Sequence, residues 1–221
     1  MSLKFKAFFS LMVAIILCAA SVSSLACTTL YVGSELTEDG STIFARSEDI
    51  SNSYNKVFYV SPAGNHKAGE VYNGCYGFSY TFTKDSYSYT AFSDDAGQGY
   101  CPDCGGEHAH TPYEAGGTNE MGVTMTATET IYCSDAVYAA DPYTDTGIEE
   151  AEMVTVIMSE SATAKEAVEL ITGIFDTVGS AGGAGFIIAD NNEAWYIECT
   201  TGHQYIAVKL TSDMEIGRAH V

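Results

Sequence analysis

Cys27 follows Ser24-Leu25-Ala26, which places small side chains at the two positions a signal peptidase inspects. Cleavage there would leave one residue carrying both a thiol and a free α-amine. A thiol attacks as the thiolate, and with a free pKa of about 8.5 only a few per cent is ionised at neutral pH. An α-amine titrating at about 7.7–8.0 is a suitable general base, able to take the thiol proton directly or through a water. No separate histidine is then needed, and His66, His108, His110, His203 and His220 show no triad context. Attack on an amide carbonyl also requires donors for the developing oxyanion, and Asn119, in a glycine-rich turn ahead of a strand, is a suitable side-chain amide. Arg46 supplies a cation for the sulfur, and Asp49 a carboxylate for an ammonium group. As isolated residues, these two read equally well as surface charges.

The first 26 residues have the composition of a removable leader, with Lys4 and Lys6 ahead of an apolar stretch from Ala7 to Val22. A membrane anchor is one alternative, but the run contains Ser10 and ends in Ser21, Ser23 and Ser24, which is short for a bilayer crossing. A lipoprotein signal is another, although Ser24 stands three residues before the cysteine where leucine is usual. The reading is a signal peptide over residues 1–26, a hydrolase domain over 27–214, and export to the cell envelope, the periplasm or the medium. Residues 215–221, EIGRAHV, reproduce the translation of a common sequencing adapter and read as a non-native tail, so that the natural chain would continue.

A formal charge of −20, or −22 without Lys4 and Lys6, repels phosphate backbones and excludes nucleic acid as a partner. With 46% hydrophobic and 12% aromatic residues the chain still has apolar material for a core. The expected partner is a small peptide substrate, with no membrane association once the leader is removed and no cofactor. Beyond Cys18 in the leader there are six cysteines: Cys27, Cys75, Cys101, Cys104, Cys133 and Cys199. They could form three disulfides in an oxidising compartment, making Cys27 half of a bridge in a secreted binding domain, or five could remain beside a free nucleophile. Cys101-Pro102-Asp103-Cys104 with His108 and His110 has zinc-binding chemistry without a standard zinc spacing, so disulfide, plain loop, metal site and redox pair all remain open.

These residues need a scaffold, and the hydrophobic pattern supplies one. Thr28 to Gly33 and Ser41 to Arg46 flank the turn signal Glu38-Asp39-Gly40 and read as a hairpin, with the new N-terminus on one of its strands. Tyr76, Phe78, Tyr80 and Phe82 alternate along another strand pair, continued by Tyr87 and Tyr89. Val123 to Ala127 reads as a strand. Glu149 to Ser159 and Thr163 to Phe175 have helical spacing, with stripes Met153/Val154/Ile157/Met158 and Ala164/Ala167/Val168/Ile171/Phe175. The loop from Gly179 to Gly185 lacks the Lys-Ser/Thr of a phosphate cradle and leads into a meander of Phe186 to Ala189, Ala194 to Cys199 and Tyr205 to Leu210. Strands, helices, then strands again predict a layered α+β domain of mainly antiparallel sheets.

Taken in order, Cys27-Thr28-Thr29, Asp39-Gly40-Ser41-Thr42, Ala45-Arg46-Ser47-Glu48-Asp49, Gly117-Thr118-Asn119-Glu120-Met121-Gly122-Val123, Thr128-Glu129-Thr130, Glu193-Ala194-Trp195-Tyr196-Ile197-Glu198 and Thr201-Gly202-His203 resemble the secreted dipeptidases among the N-terminal-nucleophile cysteine hydrolases, relatives of penicillin V acylase and bile salt hydrolase. The resemblance implies a four-layer αββα sandwich, left incomplete in this chain, and cysteine-type hydrolysis of dipeptides or small peptides. Bile-salt-type or penicillin-type amides are the alternative substrates. It implies Cys27 as nucleophile and base, Arg46 and Asp49 around it, and Asn119 in the oxyanion hole. Glu120 and Glu129 match the motif with no assigned role, structural hydrogen bonding being the default, and Trp195 reads as core.

Overall fold

The computed structural model describes residues 27–48, 56–74, 77–94, 113–128 and 131–218. Strand β1 (Thr28–Val32) leads through a 3₁₀ turn (Ser34–Leu36) to β2 (Ile43–Ser47), giving the expected hairpin. β3 (Lys56–Ser61), β4 (Val71–Asn73), β5 (Ser79–Thr81), β6 (Tyr89–Asp94), β7 (Glu114–Asn119) and β8 (Thr124–Thr128) follow. Then come helices α1 (Asp135–Ala140), α2 (Glu150–Glu160) and α3 (Ala164–Thr177). The meander β9 (Ala184–Ala189), β10 (Ala194–Cys199) and β11 (Tyr205–Leu210) precedes β12 (Glu215–Arg218).

All pairs between these strands are antiparallel. They form a seven-stranded sheet in the order β11-β10-β9-β8-β7-β6-β3, a three-stranded sheet β12-β1-β2, and the small hairpin β4-β5. Helices α2 and α3 cover one face of the large sheet, α2 over β7 and β8, α3 over β9 to β11. The three-stranded sheet packs on the other face, where Tyr31, Ile187, Ala189, Ala194 and Leu210 form a second core. The described residues thus form three of the four expected layers: helices, large sheet, small sheet. β12 occupies residues read from sequence as a foreign tail, and it pairs with β1 from Thr29↔Arg218 to Val32↔Glu215.

Helix α3 follows its sequence pattern. Thr163 caps it by accepting from the Glu166 N–H at 3.1 Å, and Ala164, Ala167, Val168, Ile171, Ile174 and Phe175 are its buried stripe. Helix α2 departs from the pattern, because every residue from Glu150 to Glu160 is buried. Besides the large sheet beneath it, it meets α3 and the β4-β5 segment, where Glu160 accepts from Thr83 Oγ1 (2.9 Å), the Lys84 N–H (3.1 Å) and the Tyr80 hydroxyl. Its start is closed by a reciprocal box between Glu149 and Glu152. Each fully buried Met, Val or Ile along it contributes roughly 1.5–3 kcal/mol by leaving water. Close approach of α2 to β7 requires Gly117, where a Cβ would stand 2.6 Å from the Thr90 carbonyl oxygen and 3.3 Å from Val154.

Candidate active site

Alternation along β1 puts Cys27, Thr29 and Tyr31 on the buried face of the small sheet, and Cys27 is only 5% exposed. Across the hairpin, Thr29 faces Arg46 and Tyr31 faces Phe44. The register therefore delivers Arg46 to the sulfur, with Nη2 lying 3.5 Å from Cys27 Sγ. The same guanidinium reaches past the end of the large sheet. Its Nη1 donates to the Ala115 carbonyl at 2.8 Å, and Nη2 lies 3.2 Å from Glu150 Oε1 at the start of α2. One side chain joins all three layers.

Burial works against the charge on Arg46, while the carboxylate of Glu150 and the sulfur of Cys27 favour it, and the net effect raises its pKa above the ordinary value. Burial raises the carboxyl of Glu150, opposed by Arg46 and by the Tyr113 hydroxyl, which donates to Oε2 at 2.8 Å. One residue before Ala115, Glu114 is 1% exposed and accepts from Thr155 Oγ1 (2.7 Å), the Tyr89 hydroxyl (3.1 Å) and the Tyr59 hydroxyl. Its carboxyl is likewise raised by burial.

Beside Arg46 opens a cleft of about 330 Å³ between the two sheets, a size within the range that holds small ligands. Phe44, Arg46 and Glu48 line it from β2 and the residue after it. Gly116, Thr118, Thr124, Thr126 and Phe92 line it from the large sheet, and Lys56, bound to Glu48 at 2.5 Å, lines it from β3. The cleft is largely apolar, with charge concentrated on Arg46, Glu48 and Lys56.

The structure brings Cys27 and Arg46 together, and it gives Asn119, expected in the oxyanion hole, hydrogen bonds of an architectural kind. Asn119 ends β7, four residues beyond Ala115, or roughly 13 Å along an extended strand. Its amide nitrogen donates to the Met158 and Ser161 carbonyls at 3.0 and 2.8 Å, and its oxygen accepts from the Met121 and Val123 N–H groups at 3.1 and 3.0 Å. All four places are filled. Asn119 folds the turn through Gly122, whose φ of +82° suits glycine, and satisfies carbonyls at the end of α2. Asn119→Ala should therefore lower unfolding free energy by about 2–4 kcal/mol, since buried carbonyls lose their donors. Denaturant unfolding checks this; unchanged stability with a lost kcat would restore the catalytic role.

Asp49, Glu129, Cys75 and the candidate metal residues Cys101, Cys104, His108 and His110 lie outside the described residues. Glu120 accepts from the Ser88 N–H at 2.9 Å, a structural bond as expected. Trp195 packs against the main core. His203 pairs with Asp141 at 2.9 Å, and Asp141 also accepts from Thr201 Oγ1 and the His203 N–H, which hold its carboxyl down at about 2. That cluster follows β10, three strands along the sheet from β7, and ties a loop to the end of α1. Among the described residues Cys27, Cys133 and Cys199 are free thiols, and no group of three or more His, Cys, Asp or Glu could hold a metal. No helix among them is long and apolar enough to cross a membrane.

Helices over a large antiparallel sheet, a second sheet facing it, and a cysteine entering the second sheet's middle strand define the N-terminal-nucleophile hydrolase fold. A solved variant of conjugated bile acid hydrolase from Clostridium perfringens shares it, with a TM-score of 0.51 at 17% identity over 83% of this chain and 51% of that one. Residues 26–219 match the sequence model of peptidase family C69, and the chain belongs to that family. It is 38% identical over 207 residues to a probable dipeptidase B of Streptococcus pyogenes serotype M1, and 38% identical over 190 residues to a probable dipeptidase of Salmonella dublin. These alignments cover 92% and 86% of this chain but 39% and 41% of the relatives. The chain thus spans about two fifths of their length.

Proposed function

We propose that this chain carries the nucleophile-bearing part of an exported cysteine-type dipeptidase acting on dipeptides or small peptides. The observation that carries the reading is the Arg46 guanidinium 3.5 Å from Cys27 Sγ beside a small-ligand cleft, in a chain of peptidase family C69. The family and the relatives' names favour peptide-bond hydrolysis over other amides, because the likeness to the bile acid hydrolase is one of fold alone.

In this mechanism the leader is cut before Cys27. The freed α-amine takes the thiol proton, and the sulfur attacks the scissile carbonyl to form a C–S bond. The proton passes to the leaving amine as the C–N bond breaks. Water then hydrolyses the thioester, returning the thiol and releasing the acid. Arg46 holds the sulfur and offsets negative charge on it, and Asp49 is the candidate to orient an ammonium group. The expected location is the periplasm, envelope or medium.

The test is intact-mass spectrometry of the exported protein before and after a thiol-reactive dipeptide analogue. A mature N-terminus at Cys27 and one adduct on its sulfur are expected. A leader still attached to active enzyme overturns the N-terminal-nucleophile mechanism, and Cys27 found in a disulfide overturns the reading and favours a secreted binding domain. Phe92, 58% exposed on the cleft wall, offers a milder check. Phe92→Ala should raise KM for an apolar dipeptide roughly 3–10-fold with kcat little changed, as loss of uniform apolar binding requires. Steady-state kinetics on Ala-Ala and Leu-Leu would show it.

A further inference from the structure

We infer that Glu150 is a positioning residue for the nucleophile, acting through Arg46; the inference rests on Cys27 being the reacting group. Glu150 is buried with 2% of its side chain exposed, and burying a carboxylate is costly unless a paired charge and hydrogen bonds offset it. The helix does not require this carboxylate, since Glu149 and Glu152 already form the cap. What Glu150 does touch is Arg46 on one oxygen and Tyr113 on the other.

Arginine has a long stem and many rotamers, and Arg46 must reach from β2 across the end of the large sheet. The Ala115 carbonyl fixes Nη1 alone. Glu150 Oε1 stands as an ion-pair partner 3.2 Å from Nη2, the atom that faces the sulfur, so its charge draws the guanidinium to its place against Cys27. Tyr113, immediately before β7, holds the carboxylate in turn, making a chain Tyr113–Glu150–Arg46–Cys27 that runs from the helix layer to the small sheet. Nothing in the sequence around Glu150 marks it, because two acids at a helix start are common.

Glu150→Gln keeps the shape and one acceptor while removing the charge pair. In the processed protein it should lower kcat about 10–100-fold, the scale expected for a misplacement near 1 Å, with KM within twofold. Cys27 alkylation by iodoacetamide should slow in parallel. Glu150→Asp should recover part of both. Arg46→Lys should lower both as well, and Arg46→Lys/Glu150→Gln should be no worse than the poorer single variant, because the two act as a unit. Rates are expressed per site titrated with a thiol-reactive acylating reagent, so unfolded protein does not count.

Unchanged kcat and alkylation per site in Glu150→Gln would overturn the inference, as would full additivity in the cycle. If Glu150→Gln fails to fold, Tyr113→Phe removes the hydroxyl that holds the carboxylate, and a two- to fivefold loss of both rates is expected, no loss counting against the proposal. If hydrolysis proves independent of Cys27, the dipeptidase reading fails, yet the alkylation rate still decides whether Glu150 positions Arg46 at the sulfur.

Discussion

Cys27→Ala is expected to abolish turnover, with kcat falling on the order of 10⁴-fold or more, as loss of a covalent nucleophile does elsewhere. Cysteine and alanine differ by one sulfur atom, and β1 is held by ladders to β2 and β12 that do not involve residue 27. The variant should thus fold, keep its far-ultraviolet circular dichroism, and bind a dipeptide with near-normal affinity. Arg46 loses its sulfur partner but keeps Glu150 and the Ala115 carbonyl, so no buried cation is stranded. Calorimetric binding and turnover on the same preparation separate a dead enzyme from a misfolded one. Retained turnover would move the chemistry off this residue altogether.

The largest expected loss of stability is at Glu114. Glu114→Ala strands the Tyr89 and Thr155 hydroxyls and the Tyr59 hydroxyl around a new void, and a cost of about 3 kcal/mol or more follows from unsatisfied buried polar groups. It also loosens the start of β7, where the next carbonyl, that of Ala115, holds Arg46. Glu114→Gln separates charge from shape. Burial raises the Glu114 carboxyl above its ordinary value, so the protonated form is favoured in the folded state. Its stability contribution is therefore full below the ordinary carboxyl range and is lost as pH rises through the raised value. Urea unfolding from pH 4 to pH 8 should show Glu114→Gln gaining on the wild type as pH rises. A gap that widens the other way would mean the three hydroxyls outweigh burial. Asp141, held down at about 2, runs oppositely: what it contributes is present above the ordinary aspartate range and disappears as pH falls through that lower value.

β1 and α3 are legible from local periodicity because each has one wet face and one dry face, whereas β9, buried along its whole length, is legible as a short apolar run between turn signals. Helix α2 was legible in extent but not in environment. Glu150, Glu152 and Glu160 look like a solvated face, and only the arrival of β2, the capping box and the β4-β5 segment explains three buried carboxylates. β3 and α1 went unread. β3 lacks a clean alternation, with Val57, Phe58 and Val60 all exposed, and α1 is six residues with none buried. At the site, Cys27 and Arg46 carried their own signals, a cleavage pattern and a motif. Asn119 carried a signal for its turn that reads the same whether its amide serves catalysis or architecture. Glu150 is invisible locally because its partner lies 104 positions earlier in the chain.

β1 is the middle strand of its sheet, and its pairings with both neighbours begin after Cys27: Thr28 meets Ser47 on one side and Thr29 meets Arg218 on the other. A cut between Ala26 and Cys27 therefore removes no rung from either ladder. If Cys27 is freed as proposed, its new amine stands one residue before the first rung, at the open end of a strand gripped on both sides, so the reacting group is steadied by backbone it does not itself have to share.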